Sequence, residues 1–441
     1  MISGAGPAQS LTVEGPIAPF DARLSVPGDK SISHRAAMLG GIAEGVTHIR
    51  NFLPANDCLA TLDVMRGLGV AVEYRGDEVL VHGRGMEGLI EPPRPLECGG
   101  SGTTMRLMSG LLAGQPFYSV LAGNAQLSRR PMDRVARPLR EMGATILGRE
   151  GGRLAPLSIQ GGNLHGISYR PPVASAQIKS AVLLAGLFAQ GETAVEEPTP
   201  TRDHTERMLM SMGADMTVEG DVVRVQASQL RAIDVDVPGD ISSAAFILAA
   251  AAIVPGSRVV VEGVGVNPGR TGFLHALERM GAKLHLHDER ESNGEPVADL
   301  EVSHAALRGI AISAEDVPGM IDELPLLAVV ATQAEGVTEV RGAAELRVKE
   351  TDRIATTAAE LTRMGAHIEA LPDGFRVYGP TPLLGVRVSS HGDHRLAMSL
   401  CIAALVARGV TTVEDTECAG DSFPGFEGAL RTLIEGGRGS E

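Results

Sequence analysis

The chain of 441 residues repeats itself, and this constrains its fold more than any other feature. Met142-Gly143-Ala144, Met212-Gly213-Ala214, Met280-Gly281-Ala282 and Met364-Gly365-Ala366 recur, with Leu68-Gly69-Val70 as a looser copy. Each closes a stretch of helical period: Phe273, Leu277 and Met280 follow i, i+4, i+7, as do Ile354, Ala358 and Leu361. The glycine stands where a helix end calls for positive φ. Alternating runs such as Val222–Val225 and 375–378 follow most copies and read as strands. Upstream of each copy come an Ala/Leu-rich helix, a short turn and a β-branched strand. Residues 181–190 before 192–195, and 326–333 before 336–340, are examples. The last copy, 395–413, ends in a degenerate second helix. Six βαβαββ-like units of about 70 residues are too long for common solenoid repeats and fit compact subdomains.

A second duplication groups the units three and three. Val26-Pro27-Gly28-Asp29 and Val237-Pro238-Gly239-Asp240 are identical, and each opens a set of three. Pro and Gly fix turns, so both read as chain crossings between domains, two coincidental turns being the alternative. The expected domains are 28–237, and 1–27 together with 238–441. The class is α/β (α+β), with two similar domains each of three βαβαββ units. A chain of this length is also past the size at which one core usually keeps growing.

The formal net charge of -15 argues against nucleic acid, which needs a broad basic surface. Residues 1–15 contain neither a basic n-region nor an apolar h-region, so no signal peptide is expected. The longest apolar run, 244–254, is too short to span a bilayer and reads as a buried helix. Cys58, Cys98, Cys401 and Cys418 have no CxxC or metal-site spacing and read as reduced thiols of a cytoplasmic protein. With no HExxH motif, paired-carboxylate ligand set or dinucleotide fingerprint, no metal or cofactor is expected. The glycine-rich segment 99–104 lacks the GxxxxGK[ST] order, so nucleotide binding is not supported.

Polar and charged residues gather where the first helix of each unit begins. The six starts are Lys30 to Arg35, Gly99 to Arg106, Ser175 to Lys179, Asp240 to Ser243, Asp322 to Leu324, and Asp393 to Arg395. Each cap alone is ordinary. Together with cationic motifs they suggest anion sites, since helix starts present free N–H groups and a positive dipole end. Several starts converging on one interdomain cleft would place an anion site on an acidic protein. Only four of the 39 Lys plus Arg are lysines: Lys30, Lys179, Lys283 and Lys349. Three of these lie in the motifs, as expected where a compact ammonium is needed for proton chemistry; Lys283 reads as solvated.

Arg347 to Arg353 reads as the opening of a second helix, with Lys349 and Arg353 on one face; a salt-bridged surface helix is the alternative. Arg129-Arg130-Pro131 precedes another, with Pro at a first position. Residues 201–206 read as a capped helix start.

Pro27 to Arg35, Gly99 to Met108, Arg129 to Met132, Arg347 to Arg353 and Asp393 to Arg395 resemble, in order, the signatures of the 5-enolpyruvylshikimate-3-phosphate synthase family. The resemblance runs from about Thr12 to Leu433. It implies the inside-out α/β barrel of the enolpyruvyl transferases, in two domains with a cleft that closes on substrate. It implies transfer of the enolpyruvyl group of phosphoenolpyruvate to the 5-hydroxyl of shikimate 3-phosphate, releasing phosphate through a tetrahedral ketal, without cofactor. Lys30 and Ser31 would contact both substrates and Arg35 the shikimate carboxylate. Ser175, Ala176 and Arg202 would line the 3-phosphate, with Gln177 bridging toward phosphoenolpyruvate. Arg130, Arg353 and Arg395 would clamp phosphoenolpyruvate by bidentate contacts, and Gly102 would let the backbone approach it. Asp322 would be the base on the hydroxyl and Glu350 the proton donor to the methylene, with Lys30 and Lys349 as electrostatic partners. A monomer is expected.

Three departures stand out. Many relatives have Asn where Gly100 stands and Ser where Ala176 stands; some have Lys where Asp421 precedes Ser422-Phe423-Pro424. Glyphosate, competitive with phosphoenolpyruvate, is expected to bind if Gly102 leaves room, although Leu107 replaces a Pro of sensitive relatives. The sister transferase acting on UDP-N-acetylglucosamine is disfavoured: its loop Cys is missing from 123–131, and its Lys-Asn pair is replaced by Lys30-Ser31. A non-catalytic repeat protein used for binding is the alternative from another class.

Overall fold

The computed structural model describes residues 2–4 and 10–436. Residues 1, 5–9 and 437–441, part of the N-terminal leader reading and of the 1–27 and 238–441 assignments, lie outside the described residues. The chain divides into two compact units, one of residues 28–238 with 291–295, the other of residues 1–27, 239–290 and 296–441.

Among the described residues there are six four-stranded sheets, and all share one plan. In the sheet that follows Leu96–Glu97, that strand runs parallel to Tyr118–Ala122. Leu154–Gln160 and then Thr145–Gly148 add antiparallel. Helix Gly102–Ala113 joins the parallel pair and Asp133–Glu141 leads to the hairpin, which makes βαβαββ.

The two crossings explain why the duplicated Val-Pro-Gly-Asp segments exist. Asp21–Ser25 pairs parallel with Arg258–Gly265 in one unit, yet the chain continues into helix Lys30–Ile42 of the other. Val235–Asp236 pairs parallel with Val46–Arg50, and the chain then returns to helix Ile241–Ile253. Asp29 N–H donates to Pro238 O at 2.8 Å in one unit, and Asp240 N–H donates to Pro27 O at 2.8 Å in the other. Gly28 is required, because a Cβ there would lie 1.9 Å from Asn51 O.

The sixth sheet is completed by the start of the chain. Leu11–Gly15 adds antiparallel to Gly409–Glu414, and Ile2–Gly4 adds to it in turn. The degenerate end of the sixth unit is a 3-10 turn, Thr416–Asp421, followed by helix Phe426–Gly436. Phe426 packs edge-on against Phe423 and Phe246.

The two helices of a unit differ in kind. All thirteen residues of Ile241–Ile253 are buried, and so is every residue of Leu324–Ala331 and of His394–Ala404. A helix apolar all round belongs inside, whereas the sheets keep one face in water, so helices form the core and sheets the outside. Second helices such as Gly272–Met280 bury one stripe and end at glycine, Gly281 having φ +97°. No helix among the described residues is long and apolar enough to cross a membrane.

One boundary differs from the sequence reading. Residues 291–295, the tip of the hairpin between Lys283–Ser292 and Glu295–Ser303, group with the 28–238 unit. His204 Nδ1 lies 2.7 Å from Glu295 Oε1, and Arg207 Nη1 donates to Gly294 O at 2.6 Å. No repeat pattern announces this, because the contact is made by a hairpin longer than its counterparts.

Candidate active site

Two clusters of charged residues occur, one in each unit. In the 28–238 unit, Asp29 caps helix Lys30–Ile42 by accepting from Ile32 N at 2.8 Å. Lys30 follows at once, its ammonium 2.6 Å from Asp57 Oδ2. Arg35 is buried and fully engaged: Nη1 donates to Ser31 O (2.9 Å), Nε to Thr205 Oγ1 (2.7 Å) and Nη2 to Ser180 Oγ (2.9 Å). Burial, and after it the charge of Arg202, lowers its pKa to about 10, which leaves it cationic at neutral pH. Arg202 donates to Ser31 Oγ at 3.4 Å. Ser31, Arg35 and Arg202 therefore form one cationic group, with Lys30 at the start of the same helix paired to Asp57.

The other residues of this unit meet around Arg106. Ser101 caps helix Gly102–Ala113, and Ser175 caps Ala176–Gly186, whose first residue, Ala176, is buried. Arg106 Nη1 donates to Gln177 Oε1 at 2.7 Å and Nη2 to Pro131 O at 3.0 Å, while Gln177 Nε2 donates to Thr103 Oγ1 at 3.1 Å. A Cβ on Gly102 would lie 2.8 Å from Arg106 Nη1 and 3.2 Å from Arg130 Cζ. The glycine leaves room for two guanidinium groups.

In the other unit acids and cations are interleaved. Asp322 Oδ1 lies 3.4 Å from Lys349 Nζ and 3.3 Å from Arg353 Nη1. Arg353 is 2% exposed. It also donates from Nη2 to Glu350 Oε2 (2.7 Å) and from Nε to Asp393 Oδ2 (2.8 Å). Burial works to lower its pKa, but Asp393, Glu350 and Asp322 override this and raise it. Asp393 also accepts from Arg395 N at 2.9 Å, which starts helix His394–Ala404. Arg395 itself is buried, and its Nε and Nη1 find no hydrogen-bond partner among the described residues.

Three sequence expectations are corrected. Helix Arg353–Arg363 begins at Arg353 with Asp352 as its cap, so Lys349 and Glu350 lie before it and do not share a helical face with Arg353 and Ile354. Lys349 and Glu350 instead lie in a bend that follows the 3-10 turn Ala344–Val348. Pro131 stands ahead of helix Asp133–Glu141, not at its first position; Met132 intervenes. The helix starts are less open to anions than the caps suggest. Asp29, Asp240 and Asp393 each accept one of the free N–H groups and bring negative charge, which opposes the dipole's attraction for an anion.

Asp57 and Arg270 escaped the sequence reading, and Arg106 was given no role of its own. Arg106 was visible within its motif, four residues after Gly102. Arg270, whose Nη1 is 3.9 Å from Asp322 Oδ2, lies in a turn with no repeat signal. Gly100 has a local reason: a Cβ there would be 3.3 Å from Asn124 Nδ2. Asp421 ends the turn Thr416–Asp421. No group of three or more His, Cys, Asp or Glu among the described residues could hold a metal ion.

The family profile of EPSP synthase (3-phosphoshikimate 1-carboxyvinyltransferase) matches residues 15–430. The chain belongs to the EPSP synthase family. A 3-phosphoshikimate 1-carboxyvinyltransferase of Desulforudis audaxviator is 55% identical over 410 residues, covering 92% of this chain and 96% of that protein. One of Bacillus cereus is 52% identical over 417 residues, 94% of this chain and 97% of that protein. The crystal structure of an EPSP synthase from Acinetobacter baumannii superposes with a TM-score of 0.86 at 46% identity, covering 97% of this chain and 98% of that one. The EPSP synthase relatives are transferases, and they bear out the resemblance and the fold read from the motifs. They do not favour the UDP-sugar alternative.

Proposed function

We propose that this chain transfers the enolpyruvyl group of phosphoenolpyruvate to the 5-hydroxyl of shikimate 3-phosphate and releases inorganic phosphate. The observation that carries the reading, beside family membership, is Arg395: a buried guanidinium with two nitrogens left without hydrogen-bond partners among the described residues. Burying a charge without partners is costly, and an anionic ligand would repay that cost.

In this reading Lys30, Ser31 and Arg35 meet shikimate 3-phosphate, Ser175, Ala176 and Arg202 take its phosphate, and Gln177 lies toward phosphoenolpyruvate. Arg130, Arg353 and Arg395 are assigned to the phosphate and carboxylate of phosphoenolpyruvate, and Gly102 to close backbone approach of that ligand. Glu350 delivers a proton to the methylene carbon, which leaves the enol carbon electrophilic. The 5-hydroxyl oxygen bonds to that carbon while Asp322 accepts its proton, giving a ketal. Glu350 takes a proton back from the new methyl group, restoring the double bond as the C–O bond to phosphate breaks, and Asp322 returns its proton to the leaving phosphate. Lys30 and Lys349 stabilise the negative charge carried through both steps. Positioned acids and bases supply roughly 10²–10⁴-fold, so clamping and orientation carry much of the rest.

Asp322 Oδ1 is held between two cations, 3.4 Å from Lys349 Nζ and 3.3 Å from Arg353 Nη1. We read the protein as a cytoplasmic monomer whose partners are its two small substrates, with no nucleic acid or membrane. Glyphosate belongs on the phosphoenolpyruvate groups beside Gly102. Phosphate release that requires both substrates and falls at least about tenfold in Arg395→Met at subsaturating phosphoenolpyruvate supports the assignment. Release unchanged in that variant would contradict it.

A further inference from the structure

Lys179 is absent from the proposed chemistry, yet it is 1% exposed and sits on the helix that carries Gln177. Its ammonium is 2.7 Å from Glu197 Oε2 and 2.5 Å from Glu206 Oε1. These three residues come from three elements: helix Ala176–Gly186, the segment after strand Thr193–Glu196, and helix His204–Ser211.

The Glu197 carboxylate continues toward the cationic group, and Glu206 is joined to it through its chain neighbour Thr205. Glu197 Oε1 accepts from Thr201 Oγ1, the residue before Arg202. Glu206 follows Thr205, whose hydroxyl meets Arg35 Nε and Ser180 Oγ, both at 2.7 Å. Arg202 reaches Ser31 Oγ and Arg35 reaches Ser31 O. One ammonium thus ties down both ends of the segment 197–206 on which Arg202 rides.

We infer that Lys179 is a positioning residue for shikimate 3-phosphate, holding Arg202 in place through Glu197 and Thr201. The inference rests on the assignment of Arg202 to the substrate's phosphate. The two contacts of Lys179 do different work. The Glu197 contact orients the loop, because its second oxygen holds Thr201. The Glu206 contact balances charge: Glu206 is buried, and burial, opposed by Lys179, raises its pKa. Arg35 and Asp203 are the other charged groups acting near it. Lysine suits the position better than arginine, since a compact ammonium can approach two carboxylates from one point whereas a planar fork cannot.

The test compares KM values for the two substrates and kcat in Lys179→Met, Glu197→Gln, Thr201→Val and Glu206→Gln, with shikimate 3-phosphate binding followed by calorimetry. KM for shikimate 3-phosphate is expected to rise about tenfold in Lys179→Met and Glu197→Gln and about threefold in Thr201→Val, with kcat and KM for phosphoenolpyruvate within about twofold of the parent. Glu206→Gln is expected to keep the parent KM, because its Lys179–Glu197 contact remains. Should Lys179→Met fail to fold, Glu197→Gln and Thr201→Val decide. A parent that turns over with KM for shikimate 3-phosphate unchanged in those variants overturns the inference alone. A parent that neither binds shikimate 3-phosphate nor turns over overturns the functional reading with it.

Discussion

The Arg353 guanidinium chelates the Asp393 carboxylate, with Nε 2.8 Å from Oδ2 and Nη2 3.2 Å from Oδ1. Asp393 is also the cap of the helix that begins with His394 and Arg395, so one carboxylate fixes the positions of two arginines. Neither partner is exposed, and breaking such a pair leaves a buried guanidinium with only Glu350 and Asp322 to offset its charge.

Asp393→Asn should therefore cost about 3–5 kcal/mol at pH 7. Burial is the largest influence on the Asp393 carboxyl and pushes it up, but the charge and hydrogen bond of Arg353 together with the charge of His394 outweigh it, and the net shift is downward. A folded pKa below the unfolded value of about 3.9 adds stability that is fully present above that value and is lost as pH falls through the lower one. Denaturant unfolding should show the gap between parent and variant intact at pH 6 and narrowing below about pH 4. A gap independent of pH would contradict the assignment.

Arg395→Met is expected to separate stability from function. The side chain is buried with Nε and Nη1 unpartnered, so removing its charge should leave Tm unchanged or raised without ligand. KM for phosphoenolpyruvate should rise, since hydrogen bonds to a charged group are worth about 1.5–3 kcal/mol, or roughly 10- to 150-fold. Thermal melts with and without phosphoenolpyruvate check both halves. A lowered Tm with unchanged KM would assign Arg395 a structural task instead.

Gly102→Ala adds a methyl group whose nearest neighbours are the far ends of Arg106 and Arg130. Flexible side chains can move aside, so the variant should fold with little loss of stability. Arg130 would be displaced, raising KM for phosphoenolpyruvate several-fold and weakening inhibition by glyphosate more than that. Inhibition kinetics on parent and variant decide; a parent uninhibited at any attainable concentration refutes the glyphosate expectation.

Cys58, Cys98 and Cys401 are buried, and burial raises the thiol pKa of Cys98 and Cys401; Cys418, half-buried, is pushed up to about 12. The thiolate is the reactive form, so a disulfide reagent at pH 7 should react slowly with native protein and at all four cysteines in denaturant. Rapid modification of two or more thiols in the native state would contradict this burial pattern.

Repeated Met-Gly-Ala segments made the helix ends legible because positive φ favours glycine whatever the tertiary setting, as at Gly281. The duplicated Val-Pro-Gly-Asp segments marked turns for a similar local reason. Lys349 to Arg353 misled because helical spacing in sequence does not say where a helix starts: Asp352 takes the cap and places Lys349 and Glu350 outside. Long-range partners left no trace either. Nothing near Leu11 reveals that its strand completes a sheet with Val413, and nothing near Lys179 reveals Glu197 and Glu206. Site residues were legible as motifs, their partners only after folding.

The most direct measurement is phosphate release by the purified protein with phosphoenolpyruvate and shikimate 3-phosphate, each alone and then together. Release only with both present, accompanied by an enolpyruvyl ether on the 5-oxygen and reduced roughly 10²–10⁴-fold in Asp322→Asn and Glu350→Gln, is the predicted result. Release from phosphoenolpyruvate alone, or turnover undiminished in both variants, would contradict the account.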